Sequence, residues 1–126
     1  LCEDNAMNRE IATALLEKHG MAVTAAADGR EGARTFTESA AGAIAAVLMD
    51  IRMPVMDGYE AARAIRTSSH PDAGRVPIIA LSADVYAGDV EKARECGMNG
   101  HLSKPLDPEL LLEMLQQEIG RAESGR

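Results

Sequence analysis

Asp50 closes an apolar run, Ala43–Met49, and opens the turn Ile51-Arg52-Met53-Pro54-Val55-Met56-Asp57-Gly58. A hydrophobic run that ends in a carboxylate and is followed by Pro and Gly reads as a buried parallel strand. Such a strand delivers one acid to the carboxyl edge of the sheet, where open α/β folds place their ligands. Other polar residues fall just beyond other strand-like runs: Glu3 and Asp4 after the stub Leu1-Cys2, Ser82 after Leu81, and Lys104 after Ser103. In a parallel sheet those edges lie side by side, so residues distant in sequence converge. Three acids around one point repel each other unless a cation sits among them. Hard oxygen ligands at a surface cleft suit Mg²⁺, which keeps several waters and bridges protein carboxylates to phosphate oxygens. Lys104 then offers a point charge to a phosphoryl oxygen, and Ser82 a hydroxyl donor. Each residue also has a plainer role: a turn cap for Asp50, a solvated helix entry for Glu3 and Asp4, a turn for Ser82, a surface ion pair for Lys104.

The elements that must position these side chains follow from the apolar pattern. Asn8–His19 is an amphipathic helix with Ile11, Ala12, Leu15 and Leu16 near one stripe, stopped by Gly20. Met21–Ala26 reads as a short strand, although its alanines weaken the preference. Asp28 caps a second helix running to about Ser39, with Ala33 and Phe36 inward, and Gly42 breaks the chain before the strand that carries Asp50. A third helix covers Tyr59–Arg66, with Ala62 and Ile65 inward. A polar loop, Ser68–Gly74, precedes the strand Val76–Leu81, whose Pro77 sits near its start, where a missing donor does least harm. A fourth helix lies within Gly88–Cys96. A very short strand spans Gly100–Ser103, and the last helix spans Asp107–Ile119, with Pro108 in its first turn and Leu111, Leu112, Leu115 and Ile119 as its buried band. Strands alternating with helices over short connections predict a parallel sheet covered on both faces, with right-handed crossovers.

With 126 residues, the chain suits one domain with a core that holds without staples. The formal charge of −7, with Arg and Lys scattered, disfavours direct nucleic-acid binding, which draws its affinity from basic groups over phosphates. Cys2 and Cys96 are too few for a disulfide framework or a thiolate metal site and fit a reducing compartment. No apolar stretch approaches the roughly 20 residues that cross a bilayer, and no charged-then-apolar leader opens the chain. A cytoplasmic module without membrane contact of its own is expected. No GxxxxGK[ST] or GxGxxG loop is present, which disfavours a nucleotide-binding enzyme or small phosphatase.

Taken in order, Glu3-Asp4-Asn5, Met49-Asp50-Ile51-Arg52-Met53-Pro54-Val55-Met56-Asp57-Gly58, Pro77-Ile78-Ile79-Ala80-Leu81-Ser82-Ala83 and Lys104-Pro105 resemble the acidic turn, phosphoacceptor loop, switch strand and lysine of the response-regulator receiver family. Asn5-Ala6-Met7-Asn8-Arg9, Gly58–Arg63 and Gly97–Pro105 look most like receivers attached to hybrid sensor histidine kinases. The resemblance spans residues 1 to about 119 and leaves 120–126 as a tail or linker. It implies a doubly wound, flavodoxin-like α/β fold, with five parallel strands in the order 2-1-3-4-5 flanked by five helices. It also implies that Asp50 accepts a phosphoryl group from a phosphohistidine of a histidine kinase or histidine phosphotransfer domain. Glu3, Asp4, Asp50 and the Arg52 backbone carbonyl would hold Mg²⁺, and Lys104 would pair with Asp50 and then with the phosphoryl group. Ser82 would bind that group and, with His101, switch a protein-interaction surface. Mg²⁺-dependent self-phosphorylation and autodephosphorylation at Asp50 would follow, as part of a hybrid kinase whose parent protein can itself be membrane-bound.

Two departures stand out. Only Leu1-Cys2 represent the family's apolar first strand, so that strand reads as truncated; its hydrogen bonds on both sides are expected to be lost unless preceding residues, another segment or another chain fills its place. The aromatic residue often found three positions before the family lysine is His101 here. The donor histidine is expected on the partner, and His19 and His70 are expected to be solvated. The competing reading is a receiver-like docking domain without phosphoryl chemistry, which would need none of Glu3, Asp4, Asp50, Ser82 and Lys104.

Overall fold

A computed structural model describes residues 1–51, 53, 55–82, 87–103 and 107–124, with side chains for all of these except 87–89 and 122–124. Arg52, Lys104 and the segment following Ser82 therefore lie outside the described residues. Among the described residues, eight elements follow one another: α1 (Ala6–Lys18), α2 (Gly29–Thr37), β1 (Val47–Asp50), α3 (Gly58–Thr67), β2 (Ile78–Ser82), α4 (Ala87–Glu95), β3 (Gly100–Ser103) and α5 (Pro108–Ser124). Among the described residues, no helix is long and apolar enough to cross a membrane.

Four of the helices begin at a side-chain cap; at α5 the cap is Asp107, whose Oδ1 accepts from the Glu109 N–H at 2.9 Å. Asn5, Asp28 and Asp57 each accept a hydrogen bond from the backbone N–H three residues on, at Asn8, Glu31 and Glu60. Each such bond satisfies one of the four donors that a helix start leaves unpaired. The cap expected at Asp28 is present; those at Asn5 and Asp57 belong to the acidic turn and to the loop that follows Asp50. Helix α5 opens with Pro108 and runs past Ile119 to Ser124.

The three strands form a parallel sheet in the order β1-β2-β3, with Val47 opposite Ile78, Asp50 opposite Leu81, and Ser82 opposite Ser103. Strand residues alternate between faces, and the two faces have different partners. Val47, Met49, Ile78 and Ala80 pack with Ala33 and Phe36 of α2, Ala61, Ala62 and Ile65 of α3, and Ala93 of α4. Leu48, Ile79 and Leu81 pack with Leu16 of α1 and Leu111 and Leu115 of α5. The sheet is thus covered on both sides, and β1 and β2 are buried throughout, which is why their sequences are continuously apolar.

The strand expected over Met21–Ala26 is reduced to a single bridge at Ala26. Its neighbour is Leu1–Glu3: the Ala26 N–H donates to the Leu1 carbonyl (2.8 Å), the Glu3 N–H to the Ala26 carbonyl (3.0 Å) and the Leu1 amino group to the Thr24 carbonyl (3.0 Å). On its other side the same short segment pairs with β1. The Cys2 N–H donates to Leu48 (2.8 Å) and the Asp50 N–H to the Cys2 carbonyl (2.9 Å). The segment Leu1–Glu3 therefore keeps hydrogen bonds on both flanks, through Cys2 to β1 and through Leu1 and Glu3 to Ala26, where their loss was the expectation. Burial pushes the Cys2 thiol above the ordinary 9.0. Beside Leu1, an apolar cavity of about 340 Å³ is lined by Val23, Phe36, Ile44, Val47, Leu115 and Ile119.

Candidate functional site

The parallel bridge between Cys2 and Met49 fixes the site. In a parallel pair the residues that follow a matched pair also run side by side, so Glu3 is delivered next to Asp50 and Asp4 to the turn above them. A carboxylate oxygen from each of Glu3, Asp4 and Asp50 lies within 4.8 Å of the other two. Glu3 and Asp50 are 3% and 5% exposed, while Asp4 is open to solvent. Two buried acids and one exposed acid thus meet at one point of the surface.

Local bonds hold the acidic turn. The Asn5 N–H donates to Glu3 Oε1 (3.2 Å), and Asn5 Oδ1 caps α1. The Arg9 guanidinium donates through Nη1 to the carbonyls of Glu3 (2.8 Å) and Asp4 (3.4 Å). On the other side of Asp50, the loop to α3 is closed by the Gly58 N–H donating to the Ile51 carbonyl (2.8 Å). A Cβ on Gly58 would come within 2.4 Å of the Asp50 carbonyl oxygen, so only glycine permits the chain to fold back this tightly behind the acid.

Ser82 is the last residue of β2 and 5% exposed, one step beyond Leu81, which pairs with Asp50. It also pairs with Ser103, the residue before Lys104. The ends of three adjacent strands thus carry Asp50, Ser82 and the approach to Lys104. Lys104 itself and the Arg52 carbonyl lie outside the described residues. His101 lies on β3 opposite Ala80 and is half-buried.

The donor set is chemically coherent. Three carboxylate oxygens on one small volume, two of them largely removed from water, carry a charge density that a hard divalent cation offsets, and oxygen-only ligation fits Mg²⁺. His70, by contrast, is not the solvated residue expected. Its side chain is 3% exposed and stacks on Phe36 with ring centroids 4.5 Å apart. Its Nε2 lies 2.9 Å from the Ser39 carbonyl, and its Nδ1 accepts the Asp72 N–H at 3.0 Å. It fastens the start of one loop to another, far along the chain from the acids. His19 is exposed, as expected.

Comparison with known proteins places this arrangement. The family model described as the response regulator receiver domain matches residues 1–116. The chain is 39% identical over 121 residues to hybrid signal transduction histidine kinase I of Dictyostelium discoideum, covering 94% of this chain and 7% of that protein. It is 32% identical over 145 residues to histidine kinase 1 of Arabidopsis thaliana, covering 91% of this chain and 12% of that one. Among solved structures, it is similar to the receiver domain of the sensor histidine kinase PA1611 from Pseudomonas aeruginosa, with a TM-score of 0.84 and 41% identity over 94% of this chain and 93% of that one. That crystal structure has a magnesium ion coordinated in its active-site cleft. The chemotaxis protein CheY4 of Vibrio cholerae follows at a TM-score of 0.83 and 30% identity, over 92% of each chain. With its acidic cluster at the carboxyl edge of a parallel sheet and this match across nearly its whole length, the chain belongs to the response regulator receiver domain family.

Proposed function

We propose that this chain is the phosphoacceptor receiver of a two-component phosphorelay, taking a phosphoryl group onto Asp50. The observation that carries this reading is the meeting of Glu3, Asp4 and Asp50 within 4.8 Å, with Asp50 at the end of a buried strand. Glu3, Asp4 and Asp50, with the Arg52 carbonyl, would hold Mg²⁺. When bound, Mg²⁺ offsets the negative charge on the phosphoryl oxygens. The Asp50 carboxylate oxygen attacks phosphorus in line. The new O–P bond forms an acyl phosphate as the N–P bond to the donor imidazole breaks, and the electron pair stays with that imidazole. Positioning and electrostatics carry such a transfer, so Asp50 needs no proton acceptor of its own. Lys104 pairs with the phosphoryl group after transfer, and Ser82 donates its hydroxyl to it. Ser82, at the end of β2, and His101, on the neighbouring β3, then carry the change to a protein-interaction surface.

The donor is a histidine kinase or histidine phosphotransfer domain, a reading supported by likeness to receivers within histidine kinases, and the place is the cytoplasm. The bridges at Cys2 and Ala26 support reading the sheet as the five-stranded, flavodoxin-like 2-1-3-4-5 order, with 1–119 as the receiver and 120–126 as tail or linker. Asp50→Asn, nearly isosteric, tests the chemistry. The parent chain given a small-molecule phosphodonor and Mg²⁺ gains the mass of one phosphoryl group, whereas the variant, still folded by circular dichroism, gains none. Equal uptake by both would overturn the assignment.

A further inference from the structure

Arg9 sits where a cation is least favoured on its own helix. It is the fourth residue of α1, close to the positive end of the helix dipole, and the first turn contains no acid to balance it. Helices α2, α3 and α5 each place a glutamate there. Helical side chains lean toward the amino terminus, so an arginine at this position reaches back over the turn that precedes the helix. The Arg9 side chain does so: Nη1 donates to the Glu3 carbonyl at 2.8 Å and the Asp4 carbonyl at 3.4 Å. It grips the backbone of the two acids, and no ion pair joins it to a carboxylate among the described residues.

This geometry separates two tasks. The carbonyls of Glu3 and Asp4 are satisfied by one guanidinium group, while their carboxylates remain gathered with that of Asp50. Glu3 is anchored independently through its N–H to the Ala26 carbonyl. Asp4 is exposed, and its residue is held on this side by Arg9. We propose that Arg9 is a positioning residue of the cation site: by clamping consecutive carbonyls it fixes where the Asp4 carboxylate stands relative to Glu3 and Asp50, and so sets the affinity for a divalent cation. This rests on the reading that those three acids hold such a cation.

The sign of the effect distinguishes this role from simple electrostatics. A nearby positive charge repels Mg²⁺, so removing it would tighten binding by a small, salt-screened factor. Removing a clamp that preorganises the ligands weakens binding, and groups that orient metal ligands typically change affinity by about 10–100-fold when lost. Lysine at this position keeps the charge and N–H donors but carries them on a compact, freely rotating ammonium in place of the planar guanidinium.

The test uses the full chain as parent, Arg9→Gln and Arg9→Lys. Each is titrated with Mg²⁺ while the backbone amide shifts of Glu3, Asp4 and Asp50 are followed, and each is unfolded in urea. Arg9→Gln is expected to bind Mg²⁺ about tenfold more weakly, with Arg9→Lys between it and the parent. Affinities within twofold of the parent in both variants, or tighter binding by Arg9→Gln, would overturn the clamp. So would a weakening of equal size in both variants that merely follows a fall in urea midpoint. Should Arg9→Gln fail to fold, the affinity of Arg9→Lys decides. A parent chain whose amides do not respond to Mg²⁺ would remove the cation site itself and the clamp with it. Normal binding by the parent with unchanged variants would remove the clamp alone.

Discussion

Val55 carries the only positive φ of a non-glycine residue among those described, +68°, and it is 73% exposed in the loop between Asp50 and α3. A β-branched side chain in that region crowds its own backbone, at a cost of about 1–2 kcal/mol for an L-residue. Since Val55 buries little, its side chain repays almost none of this. The conformation persists because the loop is pinned at both ends, by Asp50 in the ladder and by the Gly58 N–H on the Ile51 carbonyl. Strain of this kind gathers where a loop has a task. Val55→Gly is expected to raise stability by about 1 kcal/mol, read as a higher urea midpoint at unchanged slope. A lower midpoint would mean that the valine side chain holds the loop by contacts outweighing the strain. Gly58 is the opposite case: its missing Cβ is required by the Asp50 carbonyl, so its conformational cost is accepted for the sake of the site.

At the scale of elements, Arg66 ties three parts together. From the last turn of α3 its guanidinium donates to the Gly97 carbonyl (2.9 Å), the Ala73 carbonyl (2.8 Å) and Asn99 Oδ1 (2.8 Å). Asn99 in turn accepts the Ile78 N–H at 2.8 Å and donates its own N–H to the Ile78 carbonyl at 2.7 Å, so Arg66 braces the start of β2. Burial lowers the guanidinium below its ordinary value, a desolvation cost that these acceptors offset. Arg66→Met keeps the stem and strips the donors, and is expected to cost about 2–3 kcal/mol of stability in urea unfolding, the worth of charge-assisted bonds lost from acceptors left unpaired. A loss below about 0.5 kcal/mol would show that water replaces them without penalty.

No local pattern announces such long-range bonds, which is why they escape a reading of the sequence. Nothing in the sequence sets Arg66 apart from the other scattered basic residues, and His70 reads as solvated. What buries His70 is Phe36, 34 positions earlier. Helical periodicity also misplaced Ile11 by one step. Ala12 and Leu16 face the sheet, whereas Ile11, about 100° around the helix from Ala12, is 63% exposed. Helices and buried strands were otherwise legible, because continuous apolar runs and Asp, Pro and Gly punctuation are local signals. The segment Met21–Ala26 was not, since whether a marginal alanine-rich stretch becomes a strand depends on how much neighbour it has, and Leu1–Glu3 supplies one bridge.

For the whole molecule, the acidic site was legible because parallel topology turns strand ends into neighbours. Once Ala43–Met49 and Val76–Leu81 are read as adjacent parallel strands, Asp50 and Ser82 must share an edge. The meeting of Glu3 with Asp50 depended on a register that only the structure supplies, through Cys2 and Met49. Arg9 as a clamp was invisible for the same reason that Arg66 was: a side chain that seeks carbonyls leaves no complementary residue type in the sequence. The central claim is that this shared edge is built to make an acyl phosphate at one residue. Acyl phosphates are reduced by borohydride, which converts a phosphorylated aspartate to homoserine and leaves free carboxylates untouched. The chain should therefore be treated with a small-molecule phosphodonor, with Mg²⁺ or with a chelator, then reduced and mapped by peptide mass spectrometry. The account predicts homoserine at position 50 alone, in the presence of Mg²⁺ and absent with the chelator. Homoserine at another aspartate, or at none with Mg²⁺ present, would contradict it.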